Sequence, residues 1–263
     1  MTIARIPRPT GTAERKGMAA RLGVLLLALQ LLASACSGSE TAVLATAETS
    51  ASTPVPPSGA SSGNCENPYL PVVEGATFTR RSTSSAGETD QTATIKDVTQ
   101  EGFSVERTGV LSGGRAYTLV ENWSCADEGL IQAPSDELAA IATGSKGTVT
   151  VQTVSNEGVT LPKDVKAGDT WGETFNVDVT GSDATTNWTV TYEFAAVGLE
   201  QVTVPAGTFT AMKLTNHITW PNGGIPEMDV AYWFVQEVGL VKTAFSWGGV
   251  DAGTSELISY HIP

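Results

Sequence analysis

Between Asn187 and Phe194 the even positions, Trp188, Val190, Tyr192 and Phe194, are apolar, and the odd ones, Asn187, Thr189, Thr191 and Glu193, are polar. A period of two over such a stretch predicts a strand with one face buried. Val204-Pro205-Ala206-Gly207 follows as a turn, with Pro pre-setting φ and Gly closing it. The next run, Thr208 to Trp220, puts Met212, Leu214, Ile218 and Trp220 on one face and Lys213, Thr215, His217 and Thr219 on the other. Further strands are predicted at Met228–Val235, Leu240–Trp247 and Glu256–Ile262. Earlier ones fall at Thr77–Thr83, Thr92–Val98, Phe103–Val110, Ala116–Cys125, Thr148–Val154 and Trp171–Val179. One helix is predicted, over Ser135–Thr143, with Ser135 as its cap, Asp136 and Glu137 in its first turn and Gly144 at its end. About twelve short strands with so little helix predict an all-β, mainly antiparallel domain.

The strand pattern occurs twice. Trp123 to Ile131 aligns without gaps to Trp233 to Val241, each opening on Trp and closing on Gly-Leu-aliphatic. Upstream, Val72 to Phe78 aligns to Val165 to Trp171, each ending in Gly, one residue, Thr and an aromatic. These matches predict two similar halves, residues 64–133 and 160–263, packing into one core.

The first 35 residues follow another logic. Arg5, Arg8, Arg15, Lys16 and Arg21 stand against Glu14 alone, and the uncharged run 22–35 is mostly Leu and Ala. That run is shorter than a membrane-spanning helix and fits the apolar region of a secretory signal peptide. Leu32-Ala33-Ser34-Ala35-Cys36 resembles the lipobox of bacterial lipoproteins, which implies that Cys36 is acylated and becomes the mature N-terminus. Ala33 stands where that pattern prefers Leu. The alternative is an ordinary signal peptide cleaved near Ala35. Met18, followed by Ala-Ala-Arg, offers a second start. Residues 36–63 then read as the lipidated Cys and a disordered tether of Ser, Thr, Ala, Gly and Pro, charged only at Glu40 and Glu48. As a flexible coil the tether has a span of about 30 Å. Its Gly59-Ala60-Ser61-Ser62-Gly63 matches a hydrolase nucleophile motif by pattern only, because no strand precedes it and no helix follows.

Charge narrows the partners. The chain carries −13, the first 35 residues +4, so residues 36–263 carry −13 − 4 = −17. Phosphate backbones and anionic headgroups repel such a domain, which argues against nucleic acid as a partner. With Cys36 lipidated, Cys65 and Cys125 remain, and an exported domain with two cysteines predicts a disulfide. Closing that loop restricts the unfolded chain by about 4 kcal/mol. A metal site would need more than His217 and His261, which read as solvated surface residues on polar strand faces. Asp127-Glu128 and Asp136-Glu137 are adjacent pairs, and spacing alone makes no calcium site of them. The six tryptophans (123, 171, 188, 220, 233 and 247) sit at positions suited to core filling or, alternatively, to an aromatic-lined cavity. No catalytic, cofactor or metal residue is identified.

Asn67-Pro68-Tyr69-Leu70-Pro71 with Gly75, then Val204-Pro205-Ala206-Gly207-Thr208-Phe209, then Tyr232-Trp233-Phe234 leading to Val238-Gly239-Leu240-Val241-Lys242, resembles a group of uncharacterised bacterial envelope lipoproteins. These carry a domain of unknown function and are called TapB-like. The resemblance covers residues 64–263 and implies an antiparallel, curved or barrel-like sheet in the cell envelope. It transfers no catalytic residue. The expected function is therefore a non-enzymatic binding or structural module, held at a membrane by the lipid on Cys36, with an unidentified ligand or protein partner. Two alternatives stand beside it: a carrier or chaperone sheltering a lipid-like molecule in an open barrel, and an envelope hydrolase. A filled core favours the first, an empty apolar cavity the carrier, and a polar cleft around His217 or His261 the hydrolase.

Overall fold

A computed structural model describes residues 65–85, 87–110, 114–136, 149–181, 184–222 and 225–263. Cys36, the leader and the tether lie outside these residues. So does the predicted helix beyond Asp136.

Among the described residues, thirteen strands form one antiparallel sheet. In chain order they are β1 (Thr77–Ser84), β2 (Gly87–Lys96), β3 (Gly102–Val110), β4 (Ala116–Cys125), β5 (Gly129–Gln132), β6 (Thr150–Gly158), β7 (Leu161–Pro162), β8 (Thr170–Thr180), β9 (Thr185–Val204), β10 (Gly207–Thr219), β11 (Met228–Val235), β12 (Gly239–Trp247) and β13 (Val250–His261). Their order across the sheet is β6-β8-β9-β10-β11-β12-β13-β1-β2-β3-β4-β5-β7. Strands β8 to β12 and β1 to β5 are thus two five-strand meanders placed on either side of β13.

Two strands escape the period-two reading because they are too short to show it: β5 and the two-residue β7. Pro162 suits β7, since an edge strand leaves one row of donors unpaired. Strand β9 runs ten residues beyond Phe194. A register shift between Lys213 and Leu214, opposite Gly198 and Ala196, breaks the alternation there. The expected Pro205-Ala206 turn joins Val204 to Gly207. Gly248 (φ 56°) and Gly249 (φ 78°) form the two-residue turn between β12 and β13, a geometry that needs positive φ at both positions.

The topology requires the sheet to curl. Strands β6 and β7 lie at its opposite ends, yet only Val159 and Thr160 separate Gly158 from Leu161. Three Cα steps span at most about 11 Å. The edges are therefore brought close without a backbone ladder closing between β6 and β7. Thr160 ties the gap. Its N–H donates to Leu130 O at 2.9 Å. Its hydroxyl accepts from Gln132 N–H and donates to Glu173 Oε2, both at 2.8 Å.

The faces of β10 fall as the sequence predicts: Met212, Leu214, Ile218 and Trp220 are buried, while Lys213, Thr215, His217 and Thr219 are not. The inward faces form two apolar clusters. One is built around Phe78, Ile95, Phe103, Leu130, Leu214 and Leu257, the other around Phe175, Val177, Trp188, Val190, Ile218 and Trp220. A disulfide joins Cys65, at the first described residue, to Cys125 at the end of β4.

Candidate functional site

The interior of the curl is not filled by these clusters. It holds a cavity of about 410 Å³ lined by side chains from both meanders and from β13. That volume lies within the range of small-molecule sites, roughly 300–1,000 Å³. Phe78, Ile95, Leu214, Ile218, Phe234 and Phe245 give it apolar walls.

Its polar groups are the unexpected part. Arg80 projects inward from β1 and is 6% exposed. Its Nε and Nη2 donate to the Leu240 carbonyl at 3.3 and 2.8 Å. Burial first and nearby Arg107 second pull its guanidinium down to about 9, against an opposing pull from Glu121. It stays charged at neutral pH. On β3 and β4, Arg107 and Glu121 form a two-point ion pair, 2.7 Å through Nε and 3.0 Å through Nη2.

Glu173 enters from β8 and is 2% exposed. It accepts from Asn156 Nδ2 at 3.1 Å and from the Thr160 hydroxyl at 2.8 Å. Burial outweighs both bonds and pushes its carboxyl up to about 7. The Tyr192 and Tyr232 phenols also line the cavity, and burial raises both above the ordinary phenol range. Finally, Trp123 Nε1, Asn216 Oδ1 and Ser255 Oγ are buried with no hydrogen-bond partner among the described residues, and all three residues line this cavity. A buried polar atom left unmatched costs about 1–3 kcal/mol.

A second depression, wider and more open, of about 920 Å³, crosses the outer face from β8 to β13. His217 lies in it, with Nδ1 2.7 Å from Asp229 Oδ1 and Nε2 3.7 Å from Glu227 Oε2. His217 keeps an exposed side chain, as the sequence suggests, and the register of β10 on β11 sets it opposite Asp229. That hydrogen bond leads the causes that raise the imidazole above its ordinary value. His261 ends β13, opposite Thr77 of β1, and β11 and β12 separate β13 from β10, so the fold does not pair the two histidines. Among the described residues there is no group of three His, Cys, Asp or Glu side chains arranged to hold a metal ion.

Sequence reasoning named the cysteines and histidines and missed the cavity residues. A signal was present. Arg80 follows Phe78 by two, Glu173 lies between Trp171 and Phe175, and Asn216 lies between Leu214 and Ile218. Each is a polar residue in the apolar phase of its strand. The tryptophans divide: Trp188, Trp220 and Trp233 are buried in the core, Trp171 and Trp247 are partly buried against it, and Trp123 lines the cavity.

No family model matches the chain, and no curated protein matches it. Solved structures do. A protein predicted to be exported, with a YmcC-like fold, from Bacteroides fragilis aligns over 73% of this chain and 98% of its own, with 15% identity and a TM-score of 0.51. A predicted lipoprotein from Parabacteroides distasonis aligns over 75% and 99%, with 16% identity and the same TM-score. At such identities the likeness is one of fold.

Proposed function

We propose that this chain is an exported lipoprotein, anchored through Cys36, whose curled sheet holds a small molecule in its interior cavity without transforming it. The basic leader, the uncharged run 22–35 and the lipobox-like residues before Cys36 support export and anchoring. The descriptions of the two fold neighbours as exported protein and lipoprotein agree with that location. The tether keeps the domain clear of the lipid surface that its charge disfavours.

The single observation that carries the binding reading is the set of unmatched buried polar atoms around one cavity. Native interiors leave only a few buried polar groups per hundred residues unmatched, and here three belong to residues around one cavity. Three unmatched atoms on residues around the same space are what a ligand would complete. The lining mixes aromatic walls with two arginines, two carboxyls and two phenols, so the cavity suits neither a purely hydrocarbon cargo nor a fully polar one. A carrier role remains within this reading; release and delivery would distinguish carrier from receptor.

Native mass spectrometry of the protein extracted from its own membrane tests the proposal. Ala93 lines the cavity and is 2% exposed. Ala93→Phe should fill the space from inside. The wild-type protein should carry a non-covalent adduct that denaturation releases, and Ala93→Phe should lack it. A bare wild-type mass under gentle extraction contradicts the binding reading.

A further inference from the structure

The charges inside the cavity differ in sign from the rest of the domain. Its ionisable lining consists of Arg80, Arg107, Glu121, Glu173, Tyr192 and Tyr232. Arg107 and Glu121 neutralise one another through two hydrogen bonds. Both phenols stay protonated at neutral pH, and Glu173 takes up a proton near pH 7. Arg80 is left. Among the described residues it makes no ion pair, and its only hydrogen-bond acceptor is a backbone carbonyl. A guanidinium has five donors in a planar fork, so the fork is incompletely used. A buried cation without a counter-charge is costly, and an anion seated beside it removes that cost.

Ser255 lines the same cavity as this cation. In the pairing of β1 with β13, Arg80 lies opposite Leu257 and Ser82 opposite Ser255, which puts Ser255 diagonal to Arg80 on the inward face. Its hydroxyl is one of the three unmatched atoms. The apolar walls of the cavity include Phe78, whose ring centroid is 5.5 Å from the Arg80 guanidinium carbon, with Ala93, Ile95, Leu214 and Ile218. One uncompensated positive charge calls for one negative charge, and a fork of N–H groups matches a carboxylate.

We infer that the cavity takes a carboxylate-bearing amphiphile, its head seated on the Arg80 guanidinium and the Ser255 hydroxyl and its apolar part against the walls of Phe78, Ile95, Leu214 and Ile218. This rests on the binding reading above and specifies its ligand class. A cationic amphiphile is excluded by Arg80, and an uncharged one forgoes its charge-assisted bonds.

Calorimetric titration of the delipidated full chain with dodecanoate, methyl dodecanoate and dodecyltrimethylammonium separates the two claims. Dodecanoate should bind at least about tenfold more tightly than the ester, the difference one charge-assisted contact supplies. The ammonium amphiphile should not bind. Arg80→Met should bring acid and ester to within about twofold of one another while the ester still binds, which also shows that the variant is folded. If Arg80→Met does not fold, Ser255→Ala should weaken the acid severalfold more than the ester. Equal affinity of the wild-type protein for acid and ester overturns the ligand class and leaves the cavity as a binding site. No binding of any of the three by folded protein overturns the ligand class; if the extracted protein also lacks an adduct, the binding reading falls with it.

Discussion

Arg80 donates from Nε and Nη2 to one backbone oxygen, that of Leu240, and so reaches from β1 across β13 to β12. A carboxylate at that point would have made an ordinary buried ion pair. The carbonyl holds the guanidinium in place without cancelling its charge, and the cavity keeps a positive end in a chain of net charge −13. The same lining presents Glu173, whose burial has the opposite consequence: its carboxyl holds a proton that the unfolded chain would lose.

That proton makes stability depend on pH. Glu173 titrates near 4.5 when unfolded and near 7 when folded. Between those values the folded state binds more protons, so its stability falls as pH rises through the window and levels off above it. The full effect is on the order of 3 kcal/mol. Glu173→Gln should flatten the dependence of unfolding free energy on pH between 4.5 and 7, measured by urea denaturation at several pH values. An unchanged slope in the variant would remove Glu173 as its source.

The disulfide contributes through the unfolded state. It joins residues 60 apart, and Cys125→Ser should cost about 2–4 kcal/mol. Thermal unfolding of the oxidised wild-type protein against the variant reads this directly. A wild-type protein whose melting temperature does not respond to reductant would argue against the bridge.

Strand β10 gives a paired test of the two faces. Leu214→Ala removes a side chain that is 2% exposed and should cost about 2–5 kcal/mol. His217→Ala removes one partner of an exposed ion pair and should cost less than about 1 kcal/mol. The pair with Asp229 raises the imidazole, so its contribution is present at acidic pH and is lost as pH rises through the raised value. Denaturation at pH 5 and pH 9 should therefore show a cost for His217→Ala only at the lower pH.

Anchoring is a separate matter. Cys36→Ser should move the protein from the membrane fraction to the soluble one and abolish labelling by a fatty-acid probe. Retention of the variant in membranes would point to a different attachment.

The period-two pattern carried most of the fold, because a half-buried strand must alternate whatever its neighbours are. Strand β11 shows this, with the expected bounds Met228–Val235 found unchanged. The pattern failed where geometry interrupts it: at the bulge opposite Leu214, which hides the second half of β9, and in β5 and β7, which are too short to alternate. The site was legible only in part. Arg80, Glu173 and Asn216 broke the apolar phase of their strands, but a lone polar residue in phase also occurs at a strand end or a sheet edge. Only the curl, fixed by the short link from β6 to β7, turned these scattered exceptions into one cavity. The pairing of His217 with Asp229 was likewise a matter of register between strands, which no single strand's pattern contains.

Ser255 offers the most direct test that the interior polar atoms serve a ligand rather than the fold. Its hydroxyl is buried without a partner among the described residues, so in ligand-free protein it is a cost and not a support. Urea denaturation of delipidated wild-type protein and Ser255→Ala is the measurement. Ser255→Ala should be as stable as the wild type or more stable, by up to about 1 kcal/mol. A loss of about 1 kcal/mol or more in the ligand-free variant would mean that the hydroxyl supports the fold, and would contradict the claim that the cavity is built to be completed by a bound molecule.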